Sequence, residues 1–182
     1  MMRAADSPLR VATLPLHHAA EAHPVGASMA DGTMPAVWWV DWLSALHEIH
    51  MALDPHLDPA LHRVAALEQD IAAMNRDGFT AHASPAAIAF TDELVRGVQS
   101  YGGGAYVFTG AHLMGGAITE RAIGHRLPCA HLRWLDRAAA LAAWQPYRSD
   151  ASLAPSAIAA FGCVGSILSE ILARHPQPEA AQ

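Results

Sequence analysis

The sequence predicts an all-α fold in a single domain spanning residues 1–182, with an ordered core from about residue 9 to residue 175. A chain of 182 residues has the usual length of one domain with one hydrophobic core. Alanine is abundant, which favours helix. Apolar residues recur at helical spacing instead of alternating as in a strand, as Phe161, Val164 and Leu168 do near the end of the chain.

Turn and capping residues divide the chain into seven predicted helices. Proline follows a capping residue in the "DP" and "SP" pairs, as expected in the first turn of a helix. Residues 1–8 and 176–182 show no helical pattern and are expected to be a ragged start and a polar tail. The predicted helices cover residues 9–23, 35–53, 59–76, 85–101, 103–124, 130–145 and 152–174.

Composition argues against several classes of protein. The formal net charge is −6 with histidines counted neutral, and no clustered basic face is evident, so no nucleic-acid partner is expected. Cys129 and Cys163 have neither metal-site nor redox spacing, which favours a reducing, cytoplasmic location. No signal-peptide pattern and no uninterrupted apolar run of membrane-spanning length is evident, so no membrane partner is expected.

Two adjacent histidines lie in the first predicted helix. His17 and Glu21 are four residues apart, so they share a helical face one turn from each other, whereas His18 points about a quarter-turn away. A metal-binding imidazole needs a hydrogen bond on its second nitrogen, and a carboxylate is a common partner. Alternatively, His17 bonds to a carbonyl at the rim of the core and Glu21 is solvated.

The predicted helix over residues 103–124 contains glycine at positions 110, 115, 116 and 124. An interior glycine costs a helix up to about 1 kcal/mol relative to alanine, so several in one helix need a reason. A helix without Cβ atoms can bend and bring its backbone close to a flat cofactor. Close packing between helices is the alternative reason. Together with His17, the glycines predict a haem held between two helices.

Several segments resemble the haem oxygenase family, in particular its bacterial, biliverdin-producing members. Residues 9–54 carry "LRVAT", "HHAAE", "ADG" and "SALHEIHMALD", which are similar to the family's basic residue, H-x-x-A-E motif, downstream glycine and L-Y-x-x-Y-x-A-L-acid helix. "AYVFTGAHLMGG" resembles the distal helix of the family, and "AAF" at residues 159–161 resembles its last helix. The resemblance covers about half of the chain.

This resemblance implies that haem is both substrate and oxygen-activating cofactor, with O2 as co-substrate. His17 would be the iron ligand and Glu21 the carboxylate that orients it, while Arg10 would meet a haem propionate. Gly110 and Gly115 would be catalytic glycines flanking the oxygen site. The remaining haem-binding residues implied by the resemblance are Tyr106, Gly116 and Phe161.

The implied reaction cleaves haem to biliverdin, carbon monoxide and ferrous iron. A neutral histidine lacks the electron donation of a thiolate ligand, so activated oxygen can attack the porphyrin instead of splitting its own bond. The sequence has no flavin or nicotinamide motif. The electrons are therefore expected from an external ferredoxin, flavoprotein or reductase.

The sequence departs from the family pattern in four places. Pro15 lies two residues before His17, so the helix either kinks there or begins near Thr13, which leaves the register of Arg10 open. Ala111 stands where many members carry an aspartate. Met114 falls on the first paired glycine if Gly110 is matched, whereas Gly115 and Gly116 are the pair if one residue is inserted. His47 and His50 replace two tyrosines.

Two rival functions follow from these departures. His112 or Met114 could bind the iron as a sixth ligand, which would make the protein a non-catalytic haem carrier or sensor. Alternatively, His47, His50 and Asp54 could form a metal site, although the chain has no E-x-x-H motif of the di-iron type. The other histidines, including His131, lie near predicted helix ends or loops and are expected to face solvent.

Overall fold

A computed structural model describes residues 7–176, and most of this part of the chain is α-helical. No strand occurs within it, so the all-α prediction is confirmed. Residues 1–6 and 177–182, to which most of the predicted start and tail belong, lie outside the described residues. The α-helices are α1 (Pro8–Ala22), α2 (Pro24–Asp31), α3 (Ala36–Leu53), α4 (Val64–Arg76), α5 (Pro85–Val95), α6 (Tyr101–Gly104), α7 (Gly110–Ile123), α8 (Arg137–Ser149) and α9 (Ala154–Arg174).

Helices α3 and α9 form the centre of the core. α3 buries Trp39, Leu43, Leu46 and Ile49, and packs against α4, α5 and α9. α9 also packs against α1 along much of its length and against α6. It is therefore the common neighbour of the helix that carries His17 and of the glycine-containing segment.

The glycine-containing segment is one helical stretch from residue 101 to residue 123, which we call the glycine helix. Its two α-helical parts, α6 and α7, are joined by a π-helical turn at Ala105–Thr109. A π turn interrupts the regular hydrogen bonding, is a known cause of helix bending and often lies at a functional site. The π turn directly precedes Gly110.

Helix α1 passes through Pro15 without ending. Ser7 caps its N-terminus by accepting a hydrogen bond from the backbone N–H of Arg10 (3.2 Å). Pro15 is exposed and lies inside the helix, where its ring nitrogen cannot donate to the carbonyl of Val11. Because the helix begins at Pro8, Arg10 is in helical register with His17, and the two residues differ by only about 20° around the axis.

Some predicted helix starts were wrong because aspartate side chains cap the helices at later positions. α4 begins at Val64 and not at residue 59, since the carboxylate of Asp54 accepts the backbone N–H groups of Arg63 (2.7 Å) and Val64 (2.9 Å). α8 begins at Arg137 and not at residue 130, because Asp136 caps it through the N–H of Ala139 (2.9 Å).

Two further predictions on helices were wrong. α2 was not predicted, although the side chain of His23 caps it by accepting the N–H of Val25 (3.2 Å) and Pro24 occupies its first turn. The helix predicted over residues 85–101 ends at Val95. The chain turns at Gly97, which has a φ of 72°, a conformation that glycine adopts without strain.

The segment Ala151–Arg174 has the length and apolar composition of a membrane-spanning helix, with a mean hydropathy of 1.7. The sequence analysis expected no uninterrupted apolar run of this length, and Ser156, Ser169 and Glu170 interrupt the segment. Its inner face, which includes Ala160, Ile167 and Ile171, is buried against α1, α3, α5 and α6. Helices of a protein core also have this length and composition.

Candidate functional site

The side chains of His17 and Glu21 lie together on the surface of α1. The Nδ1 atom of His17 is 3.4 Å from the Oε2 atom of Glu21, and both side chains are more than half exposed. An imidazole whose Nδ1 faces a carboxylate carries its proton there and keeps a lone pair on Nε2. The arrangement therefore leaves the Nε2 atom of His17 available as a metal ligand.

His17 also contacts α9 through Phe161. The two rings meet edge to face with centroids 5.9 Å apart, and the ring centroid of His18 lies 6.2 Å from that of His17. Ligand atoms of His17, His18 and Glu21 lie within 4.8 Å of one another. Phe161 was a predicted haem-binding residue, and its ring lies directly beside the predicted iron ligand.

A groove of about 550 Å³ lies between α1 and α9, with Phe161 in its wall. Leu16, Ala20 and Gly165 are among its lining residues, and none of the lining residues belongs to the glycine helix. The groove is therefore distinct from the predicted slot between His17 and the glycine helix.

One face of α7 is apolar and uncovered. Met114 and Ile118 are 53% and 62% exposed, and Ala111 is exposed beside them. A Cβ atom built on Gly115 would have no neighbour within 4 Å, so space is open next to its backbone. An uncovered apolar helix face with an accessible backbone is suited to a flat apolar ligand.

The other two predicted haem-binding glycines are packed against side chains. A Cβ on Gly110 would lie 2.7 Å from Cζ2 of Trp144, and a Cβ on Gly116 would lie 3.4 Å from Leu132. The Cβ side of Gly110 is therefore filled by Trp144, and a place for Gly110 beside an oxygen site stays a prediction. Close packing of the helix on Trp144 is the physical reason for glycine there.

Tyr106 lies on the same side of the glycine helix as Gly110. Its ring stacks on Trp144 with centroids 5.8 Å apart and planes inclined by 8°. Arg137 on α8 donates a hydrogen bond to the carbonyl of Leu113 (2.9 Å). α8 therefore supports the glycine helix at the π turn and again one turn into α7.

Three histidines form a buried cluster that the sequence analysis missed. His50 and His131 are fully buried and His112 is 5% exposed. The ring centroid of His112 lies 5.3 Å from that of His50 and 5.1 Å from that of His131. The prediction that His131 faces solvent was wrong.

Asp70 on α4 explains why His131 is buried. Its carboxylate accepts the backbone N–H groups of Ala130 (2.8 Å) and His131 (2.9 Å) and lies 2.6 Å from the Nδ1 atom of His131. Asp70 falls on the apolar stripe of α4 with Leu67 and Met74, which are buried. A carboxylate at a core position of a helix was the signal in the sequence that a buried partner exists.

Burial governs the charge of this cluster. Desolvation, followed by repulsion from His131, His50 and Arg63, lowers the pKa of His112 well below its usual value. Desolvation also lowers the pKa of His131, although the hydrogen bond and charge of Asp70 oppose it. Both imidazoles are therefore neutral at pH 7.

The rival metal site on α3 does not form as predicted. His50 Nδ1 lies 2.9 Å from Asp54 Oδ1 in the core, but His47 points elsewhere, with its Nε2 atom 3.5 Å from Glu68 Oε1. Of the two predicted sixth ligands, Met114 lies on the uncovered face of α7, whereas His112 is turned into the core.

Comparison with known proteins identifies the fold. No known family's sequence model matches the chain, and no curated protein is significantly similar to it. The structure is similar to that of haem oxygenase-1 from the cyanobacterium Synechocystis in complex with haem, with a TM-score of 0.77 and 17% identity over 91% of each chain. It is also similar to haem oxygenase from Leptospira interrogans, with a TM-score of 0.73 and 16% identity over 89% of this chain and 97% of the other. The chain has the haem oxygenase fold, and the predicted resemblance is confirmed at that level.

Proposed function

We propose that this protein is a haem oxygenase, which cleaves haem with O2 and external electrons to biliverdin, carbon monoxide and ferrous iron. The observation that carries the proposal is the His17–Glu21 pair at the surface of α1, in a fold shared with two bacterial haem oxygenases. One of those structures contains haem.

The residues on α1 fit the proximal side of a haem. His17 would bind the iron through Nε2, and Glu21 would hold the proton on Nδ1 and fix the orientation of the ring. Arg10 lies on nearly the same side of α1, two turns before His17, where its charge would pair with a propionate. Phe161 would limit the rotation of the imidazole by its edge-to-face contact.

The glycine helix would form the opposite wall. Gly115 would let the haem approach the backbone, since no atom lies within 4 Å of its missing Cβ. Met114 and Ile118 would cover the apolar porphyrin. Gly110, Gly116 and Tyr106 would act indirectly, because they pack the helix against Trp144 and Leu132.

Bound haem would supply both the porphyrin that is cleaved and the iron that activates O2. The residues of this chain would orient the iron ligand and exclude bulk water from one face. We infer an external electron donor of the ferredoxin or flavoprotein type, and a cytoplasmic location in which such donors occur.

The experiment is turnover of haem by the purified protein. Haemin is added in equimolar amount, and a ferredoxin reducing system or ascorbate is supplied while the absorption spectrum is recorded. The proposal predicts loss of the haem bands and appearance of biliverdin. His17→Ala should abolish the conversion, whereas His18→Ala should retain it. A wild-type protein that binds haem without forming biliverdin would contradict the enzymatic proposal.

A non-catalytic haem carrier is the second candidate, and the position of Met114 favours it. This residue is 53% exposed on the uncovered face of α7, and its thioether could bind iron opposite His17. Ala111 offers no acidic group beside it. The ferric spectrum distinguishes the two functions, because an enzyme needs an exchangeable sixth position. A spectrum in which azide displaces water supports the enzyme. A six-coordinate spectrum that azide does not change in the wild type, but does change in Met114→Leu, supports the carrier.

A further inference from the structure

Two imidazoles are directed at the carboxylate of Asp41, a buried residue of α3. The Nδ1 atom of His82 lies 3.1 Å from Oδ1, and the Nε2 atom of His175 lies 3.1 Å from Oδ2. The two histidines come from distant parts of the chain, since His82 precedes α5 and His175 follows α9. The side chain of Asp41 is only 1% exposed, whereas that of His82 is 53% exposed. One side of this group therefore faces solvent.

The three side chains have the spacing of a metal site. One ligand atom from each of Asp41, His82 and His175 lies within 4.8 Å of the other two. A tetrahedral ion with bonds of about 2.0–2.1 Å places its ligand atoms about 3.3 Å apart, and both carboxylate–imidazole distances are 3.1 Å. The two rings are not stacked, because their centroids are 5.6 Å apart and their planes are inclined by 56°. A small closing movement of the imidazoles would bring all three groups onto one ion.

The carboxylate of Asp41 is held in place by groups other than the imidazoles. Its Oδ1 atom accepts the backbone N–H of His82 (2.8 Å), and its Oδ2 atom accepts the guanidinium of Arg174 (2.7 Å). Arg174 also donates to the carbonyl of Ala83 (3.2 Å). Each carboxylate oxygen has two lone pairs, so each keeps one after these bonds. The carboxylate is therefore oriented before an ion binds.

Arg174 determines which kind of ion suits the site. Its positive charge offsets the negative charge of Asp41, so the site offers little net charge to attract Mg²⁺ or Ca²⁺. The two imidazoles must then provide most of the affinity, and imidazole ligands favour the ions of zinc, cobalt, nickel and copper. Each imidazole would bind in its neutral form, with its proton on the ring nitrogen that faces away from the carboxylate.

We propose that Asp41, His82 and His175 form a binding site for one divalent transition-metal ion of the zinc class. Solvent would supply the fourth ligand on the side of His82. The ion would join α3, the segment before α5 and the end of α9, three parts of the chain that meet at Asp41. The site shares no residue with the proposed haem site at His17, so it does not depend on the proposed haem oxygenase function.

Zinc titration of the haem-free, chelator-treated full-length protein, followed by calorimetry, tests the proposal. The wild type should bind zinc with micromolar or tighter affinity. His82→Gln and His175→Gln should each weaken this binding at least about tenfold, because each removes one of three protein ligands. His18→Gln and His125→Gln are matched controls, since both residues are exposed and His18 belongs to another cluster of potential ligands. Both controls should retain the affinity of the wild type.

Three results would overturn the proposal. These are no zinc binding by the wild type at micromolar concentration, unchanged binding by His82→Gln and His175→Gln, or loss of the binding in His18→Gln. Anomalous scattering at the zinc absorption edge, measured on a zinc-soaked crystal of the wild type, gives an answer that needs no variant. A peak between Asp41, His82 and His175 supports the site, and peaks at other positions alone contradict it.

Discussion

The Nδ1 atom of His17 lies 3.4 Å from the Oε2 atom of Glu21, one helical turn along α1. The pair is fixed by local helix geometry, because residues four apart share a face. In the proposed haem site, the carboxylate would hold the ring proton on Nδ1 and leave Nε2 for the iron. The proposed haem site depends on this relationship more than on any other contact.

Glu21→Gln should weaken haem binding about tenfold, because the amide orients the imidazole less firmly and no longer increases its basicity. Titration with haemin, followed by the absorption spectrum, measures the affinity. Glu68→Gln is a matched control, since Glu68 is equally exposed and lies 3.5 Å from another histidine, His47. Equal affinities for Glu21→Gln and the wild type would count against the assigned role.

Alanine at the two glycines should have opposite effects on stability. Gly115→Ala should raise the free energy of unfolding of the haem-free protein by about 0.5–1 kcal/mol, because the new methyl meets no atom and alanine favours helix. Gly110→Ala should lower it by about 1–3 kcal/mol, because its methyl would overlap Trp144. Urea denaturation measures both, and a loss of stability in Gly115→Ala would show that this face is covered.

A larger residue at position 115 should separate folding from haem binding. Gly115→Leu should leave the haem-free protein folded, since its side chain enters open space. The same side chain should obstruct the porphyrin and reduce haem affinity at least tenfold. Circular dichroism and haemin titration of the same sample check the two effects, and unchanged affinity would place the haem elsewhere.

Asp41→Asn should destabilise the protein by about 2–3 kcal/mol at pH 7, because it leaves a guanidinium without its buried partner. The carboxylate of Asp41 is 1% exposed and accepts hydrogen bonds from the guanidinium of Arg174 (2.7 Å), from the N–H of His82 (2.8 Å) and from the ring of His175 (3.1 Å). It thereby ties α3 to the end of α9. Asp92→Asn, on the exposed side of α5, is the control and should change little.

The pH dependence of the same variant follows from the pKa of Asp41. Burial alone would raise this pKa, but the hydrogen bonds from His82, Arg174 and His175 together lower it below 3.8. A lowered carboxyl pKa gives stability that is complete above the ordinary pKa and is lost as the pH falls towards the folded value. The wild type should therefore lose more stability than Asp41→Asn as the pH falls below about 4, measured by urea denaturation. Parallel plots of stability against pH for the wild type and Asp41→Asn would refute this expectation.

The protein should lose stability as the pH falls below 6.5. The pKa of buried His112 is lowered well below that ordinary value, so the unfolded chain takes up a proton that the folded protein does not. The stability is complete above pH 6.5 and declines from there towards the folded pKa. His112→Gln should show a shallower decline of Tm between pH 6.5 and about 5. If Tm declines equally steeply in the wild type and in His112→Gln, His112 is not the group responsible for the pH dependence.

The sequence was sufficient to predict features that depend on residues close to one another in the chain. The register of His17 and Glu21 follows from helical spacing, and α1, α3 and α9 follow from apolar periodicity. The core position of Asp70 indicates a buried partner, but the sequence does not identify that partner as His131, which is 61 residues away. Likewise, only the folded structure shows that Trp144 packs on Gly110 and that no atom lies within 4 Å of a Cβ on Gly115. The start of α4 depends on a cap from Asp54, which lies outside the helix.

The most direct test of the central claim is chemical rescue of the proposed iron ligand. His17→Gly is loaded with haemin and supplied with the reducing system, with and without added imidazole. We predict no biliverdin without imidazole and restored biliverdin formation with it, because free imidazole can occupy the space left by the side chain. Biliverdin formation by His17→Gly at the wild-type rate without imidazole would contradict the account, because the iron would then be held by another residue.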